Sequence, residues 1–176
     1  MQSDGIALRQ CTIDDVPTLA LIGAATFLES FAGVLDGASI VAHCHKQHSA
    51  EVYAKYLAEP ESRAWIALAD PGEAPLGYTL LTAPDLPLDD LSPSDIELKR
   101  IYLFSRFQRS GLGKTLLDGA LGAARAMGKK RLLLGVHAEN NKALAFYRKN
   151  GFEQVGVRTF QVGASVFNDL VLGRPV

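Results

Sequence analysis

The chain has 176 residues, 48% of them hydrophobic and 21% charged, with a formal net charge of -1. This composition fits one globular domain with a sizeable core and excludes a disordered chain. The near-neutral charge gives no general basic excess for nucleic acid, no apolar run reaches the ~20 residues of a membrane span, and two cysteines make no disulfide framework. The segment MQSDGIALRQ lacks the basic and apolar regions of a signal peptide, so a reducing cytoplasm is the expected location.

In chain order, IALRQCT reads as a first strand, and TIDD opens a helix with Thr12 as N-cap and Asp15 three residues on. Ile13, Val16, Leu19, Ala20, Gly23, Phe27 and Phe31 keep helical spacing until Gly33 and Gly37 break it. HCHKQH then reads as a flexible loop before a helix capped by Ser49 and ended near Pro60. AWIALAD and PLGYTLLTA form an antiparallel hairpin across DPGEAP. A Pro-rich acidic loop, APDLPLDDLSPS, leads into the strand DIELKRIYLFS. Leu112, Leu116, Ala120, Ala124 and Met127 then stripe a helix closed by Gly128, and KRLLLGV is a buried strand. NNKALAFYRKN is a short helix closed by Gly151, and two last strands flank Gly163. The order β-α-α-β-β-β-α-β-α-β-β predicts a mixed sheet with helices on its faces and one parallel crossover after Glu97.

The chemistry concentrates in FQRSGLGKTLL. Gly113-Lys114-Thr115 matches the end of a nucleotide P-loop, but Gln108 stands where its first glycine belongs. A dinucleotide fingerprint fails too, because Leu116 replaces its third glycine. What survives is a strand entering a glycine-bearing turn from which a helix leaves. The first amides of that helix have no internal acceptor, and its dipole adds positive character. Arg109 and Lys114 add full charges to an anion-binding turn.

Gln108, Gly111 and Gly113 after the strand ELKRIYL resemble the acyl-CoA pyrophosphate loop of the GNAT superfamily of N-acetyltransferases, [QR]-x-x-G-x-[GA]. Asn140, Ala143, Tyr147, Gly151 and Phe152 are similar to that family's N-x-x-A-x-x-x-Y-x-x-x-G-F signature. The resemblance is strong from Ile96 to Phe152 and rests on element order elsewhere, which makes residues 1–176 one expected domain. It implies an α/β (α+β) GNAT fold: a mixed, mostly antiparallel seven-stranded sheet, about four helices, and splayed fourth and fifth strands. It also implies acetyl-CoA as cosubstrate, with no metal. Its contacts would come from the backbones of Ile101, Tyr102 and Leu103, from the turn Gln108, Arg109, Ser110, Gly111, Leu112, Gly113 and Lys114, and from Asn140. Asn140 equally suits the N-cap of the helix it precedes.

Direct acetyl transfer needs a neutral amine, a stabilised oxyanion and a proton for the departing thiolate. Tyr147 matches the family's acid, and Glu97, at the start of the fourth strand, is the candidate base. Neither cysteine reads as a nucleophile, and His43, Cys44, His45 and His48 complete no zinc spacing. Asp85, Asp89, Asp90, Asp95 and Glu97 form an acidic run, whereas Lys99, Arg100, Arg106, Arg109 and Lys114 form a basic one. That division suits a cationic acceptor and an anionic cofactor. Phe160, Gly163 and Asp169 resemble the tail of bacterial polyamine acetyltransferases, which implies a polyamine acceptor with Phe27 and Phe31 lining its groove. Lys99 departs from that subgroup by removing a negative charge. Peptide N-termini, other small amines and a non-catalytic acyl-CoA-binding module are the alternatives. A homodimer through the terminal strands is the partnership the family implies.

Overall fold

The computed structural model describes residues 5–176, so the first four residues of the N-terminal segment read above lie outside the description. The elements run β1 (Ile6–Gln10), α1 (Val16–Phe31), α2 (Gly37–Gln47), α3 (Ala50–Ala58), β2 (Arg63–Ala69), β3 (Ala74–Thr82), β4 (Asp95–Leu103), α4 (Leu112–Ala126), β5 (Arg131–His137), α5 (Asn141–Lys149), β6 (Glu153–Val162) and β7 (Ser165–Pro175). One seven-stranded sheet has the order β1-β2-β3-β4-β5-β7-β6. Every neighbouring pair is antiparallel except β4 and β5, which the α4 crossover makes parallel.

The helical stripe of α4 explains the main core. Leu117, Ala120, Leu121 and Ala124 pack on Ile96, Leu98, Leu132 and Leu134, and α5 adds Leu144 and Tyr147 to the same face. Each fully buried leucine contributes roughly 2 kcal/mol of apolar transfer. On the opposite face of the β1–β4 half, α1 and α3 bring Leu19, Ile22 and Tyr53 onto Ile66, Tyr78 and Leu80. The same face of the β5–β7 half carries lighter cover. Leu86 of the acidic loop meets Leu133 and Val171, and the ends of α1 and α2 bring Phe27, Leu35 and Ile40 to Val162.

The expected four helices are present, and α2 adds a fifth. The stretch read as a glycine break and a flexible loop is helical because Asp36 caps it, accepting from the Ser39 backbone amide at 2.9 Å and the Ser39 hydroxyl at 2.7 Å. Ile40 then anchors it to the core. Gly37 sits in its first turn, where a glycine costs least.

Two details of β4 position the site. It pairs with β5 only at Asp95↔Arg131, Ile96↔Leu132 and Glu97↔Leu133. Beyond this joint β4 continues on β3 to Leu103 while β5 continues on β7 to His137, so the strands part. The joint is fastened by Arg131, which donates from Nε to Asp95 Oδ1 at 2.9 Å and from Nη2 to Oδ2 at 2.8 Å. The second detail is a bulge. Leu80 pairs with Arg100 but Leu81 pairs with Leu98, which leaves Lys99 as the surplus residue.

Candidate active site

The turn after β4 has a geometry that suits an anion. Arg109 and Gly111 have φ of 64° and 88°, so the chain doubles back tightly before α4 begins. The first backbone bond into α4 runs from Thr115 N to Gly111 O at 3.1 Å. The amides of Gly113 and Lys114 precede it and face outward. A Cβ at Gly111 or Gly113 would meet nothing within 4 Å. Gly111 therefore answers a backbone need, while Gly113 leaves room that no part of the chain fills. Gln108 ties the turn to the strand, its Nε2 donating to Leu103 O at 3.2 Å. Ser110 Oγ donates to Phe107 O at 2.6 Å.

Two expected cofactor contacts are modified by this geometry. Leu103 already gives its carbonyl to Gln108. Lys114 Nζ lies 2.6 Å from Asp118 Oδ2 one turn on, so its charge is compensated and Arg109 is the freer cation of the turn. Ile101 and Tyr102 pair with β3 along one edge of β4, and their other edge looks into the gap left by β5. The residues present thus fit an anionic group at the turn followed by an amide-bearing arm along an unpaired strand edge.

Tyr147 stands on α5 with only 7% of its surface exposed, between Phe146 and Phe152 at ring-centroid distances of 5.4 and 5.5 Å. Burial, followed by the nearby Tyr102 hydroxyl, holds its own hydroxyl above the ordinary tyrosine range. It is therefore a protonated donor at neutral pH. Asn140 takes its alternative role, since its Oδ1 accepts the Ala143 amide at 3.1 Å as the cap of α5, which leaves its NH₂ for a ligand.

Glu97 is 1% exposed and lies at the last paired position of the joint. Its Oε2 accepts the Asp85 amide at 2.8 Å, and its Oε1 lies 3.6 Å from Lys99 Nζ. Lys99 also reaches Asp85 at 3.7 Å. The acidic loop is thereby closed over the joint. Phe27 corrects an expectation: at 2% exposed it stacks between Phe31 and His43, at 4.4 and 4.1 Å, and is core rather than groove lining. Phe31 is half-buried and reaches Phe167 edge-on at 6.3 Å.

Burial shifts both cysteines and two of the histidines away from their ordinary titration. Burial pushes the Cys11 thiol up to about 12 and also raises that of Cys44. Burial, then the Arg100 charge, lowers His43 to about 4 and His48 to about 3. No group of three metal-ligating side chains occurs among the described residues. Nor is any helix among them long and apolar enough to cross a membrane.

Beside the joint lies a cleft of about 770 Å³ lined by Asp85, Arg158, Thr159, Asn168 and Asp169, with Pro87 and hydrophobic neighbours. Arg158 donates from Nε to Asp169 Oδ2 at 3.1 Å, and its guanidinium crosses β7 to lie over Gly135 of β5, where any Cβ would overlap it. Burial holds the Tyr102 hydroxyl above the ordinary tyrosine range, with Asp169 and Arg158 among the smaller charge influences on it. The sequence reading flagged Asp169 but missed Arg158 and Gly135. The one available signal was a charged residue in the alternating strand VGVRTF.

Comparison with known proteins agrees with this geometry. Over 160 residues the chain is 31% identical to an uncharacterized N-acetyltransferase of Mycobacterium tuberculosis, covering 91% of this chain and 97% of that one. It is 29% identical over 155 residues to a spermidine N(1)-acetyltransferase of Thermoplasma acidophilum, covering 84% and 88%. Its fold superposes with a TM-score of 0.77 on the PaiA N-acetyltransferase of Thermoplasma acidophilum in complex with coenzyme A, at 23% identity and covering 97% and 99%. The acetyltransferase (GNAT) family model matches residues 30–152, and the chain belongs to that family.

Proposed function

We propose that this enzyme transfers an acetyl group from acetyl-CoA directly to the primary amine of a small acceptor, both bound at once. The observation that carries this reading is the three-residue joint, beyond which β4 and β5 part, with an anion-binding turn at the far end of β4. Acetyl-CoA supplies the activated thioester carbonyl. The open amides of Gly113 and Lys114, with Arg109, hold its pyrophosphate, and the free edge at Ile101 and Tyr102 orients its amide-bearing arm. Glu97, fixed by the Asp85 amide, takes the proton that the attacking amine must lose. Tyr147 keeps its proton in its apolar niche and delivers it to the departing sulfur.

Two supports bear on the acceptor. The acidic loop crosses the joint, and one relative is a spermidine acetyltransferase. Both favour a polyamine-type acceptor, an amine carried on a methylene chain. A homodimer through the outer strands is part of the same proposal, because Val155, Val157 and Val166 expose 41%, 63% and 61% of their surfaces there. The test is release of free thiol from acetyl-CoA across an amine panel, with thermal shift against acetyl-CoA and ATP alongside. Stabilisation by acetyl-CoA alone and thiol release with small amines are expected. A shift with no CoA ester, or release with peptides only, overturns the reading.

A further inference from the structure

The cleft beside Glu97 holds more than carboxylates. Asp169 is bonded to Arg158 at 3.1 Å, and Asp85 and Glu97 share one cation, Lys99, at 3.7 and 3.6 Å. Three carboxylates against two cations leave a negative charge for an ammonium, but Arg158 offers a donor that a bare polycation does not use. Asp169 takes the Nε edge of Arg158, and a guanidinium pinned through Nε keeps its terminal N–H pair for a second, bidentate acceptor. Arg158 lines the cleft, and its position is built: Asp169, 5% exposed, holds its Nε, and Gly135 vacates the floor of β5 beneath the guanidinium.

Resting on the acetyl-transfer reading, we propose that the acceptor carries a carboxylate besides its reacting amine, and that Arg158 binds this carboxylate end-on. Within the polyamine-type class this selects amino carboxylates, such as diamino acids, over bare di- and polyamines. Arg158 acts as a specificity residue, and Asp169 and Gly135 position it. The acidic loop then serves the ammonium of a zwitterionic head instead of a chain of cations.

Matched pairs test this with the full chain: L-lysine against 1,5-diaminopentane and L-ornithine against 1,4-diaminobutane, each with acetyl-CoA and thiol detection. The amino acids should exceed the diamines in kcat/KM by at least about tenfold, the loss expected for one charge-assisted hydrogen bond. Arg158→Lys keeps a cation beside Asp169 but loses the fork, and should raise KM for the amino acids about tenfold while leaving the diamines unchanged. Gly135→Ala, which displaces the guanidinium without opening a cavity, should do the same and guards against a folding defect in the first variant. Diamines used as well as the amino acids, or both series falling equally in both variants, overturn the proposal. Thiol release with neither series while acetyl-CoA still raises Tm overturns the acceptor proposal and leaves cofactor binding standing. No shift with acetyl-CoA removes both readings.

Discussion

The two halves of the sheet are held differently. From β1 to β4 the sheet is packed on both faces, by α1 and α3 on one side and by α4 on the other. From β5 to β7 one face rests on α4 and α5, while the other meets only a loop and the ends of two helices. The halves join through three residue pairs. The well-packed half carries the anion-binding turn, which needs a fixed backbone. The lightly covered half carries the cleft, which needs open floor. On the proposed function, exposure of a sheet face is a functional allocation, and the joint is the element both sites share.

Breaking the joint should have the largest effect. Arg131→Ala leaves Asp95, 3% exposed, as a buried carboxylate without its fork, and should cost about 3 kcal/mol, read as a fall in the urea midpoint. An unchanged midpoint would show that the halves are held by packing alone. Next comes the chemistry that spans the gap. Tyr147→Phe should lower kcat by about 100-fold and leave the Kd for acetyl-CoA within about twofold, since a positioned acid contributes at least that much. Equal turnover would remove Tyr147 from the acid role.

The turn should respond more modestly. Gly111→Ala meets no neighbour but forces a side chain to φ 88°, a strain of about 1–2 kcal/mol that should weaken acetyl-CoA binding about tenfold by calorimetry. Gly113→Ala has no such strain in the free chain, so any loss there reports the ligand's approach. The last effect depends on pH and is absent at neutrality, so it ranks below the others there. His43 and His48 are held to about 4 and about 3, below an unfolded value of 6.5. The unfolded chain therefore binds protons that the fold refuses, so stability is complete above pH 6.5 and falls as pH drops toward 4. The loss should show as a urea midpoint that declines from pH 6.5 to 4.5. A flat urea midpoint between pH 7 and 4.5 would contradict this.

How much of this the sequence disclosed follows from locality. The turn from Gln108 to Gly113, the place of Tyr147 on α5 and the cap at Asn140 depend on contiguous backbone, and their spacing was readable. The crossover and hairpins followed from alternation and turn residues. Helix α2 was hidden because its glycine start and three polar ring-bearing residues, His43, His45 and His48, mask its single buried anchor, Ile40. Asp36 and Ser39 were its readable cap. The cleft was legible only at Asp85 and Asp169, because Gly135, Arg158 and Asp169 come from three strands and meet only through the order β5-β7-β6. Phe27 was misplaced for a related reason: a helical stripe names the buried face but not what buries it.

The surplus residue in β4 has a wider consequence. In an unbroken strand, residues 97 and 102 would project to opposite faces. Here Glu97 meets the acidic loop and Tyr102 stacks with Tyr78 on that same face, whereas Leu98 and Ile101 both turn toward α4. Lys99 acts as a phase shift in the strand's alternation, putting Glu97, the proposed base, and Tyr102, on the proposed cofactor edge, on one face of β4. The position should tolerate many side chains and even a deletion, because without Lys99 residues 97 and 102 stand four positions apart and keep one face in a regular strand. Flattening the bulge with Lys99 still in the chain would do the opposite, turning Tyr102 and Arg100 toward α4 and misplacing half the site without altering a single residue in it.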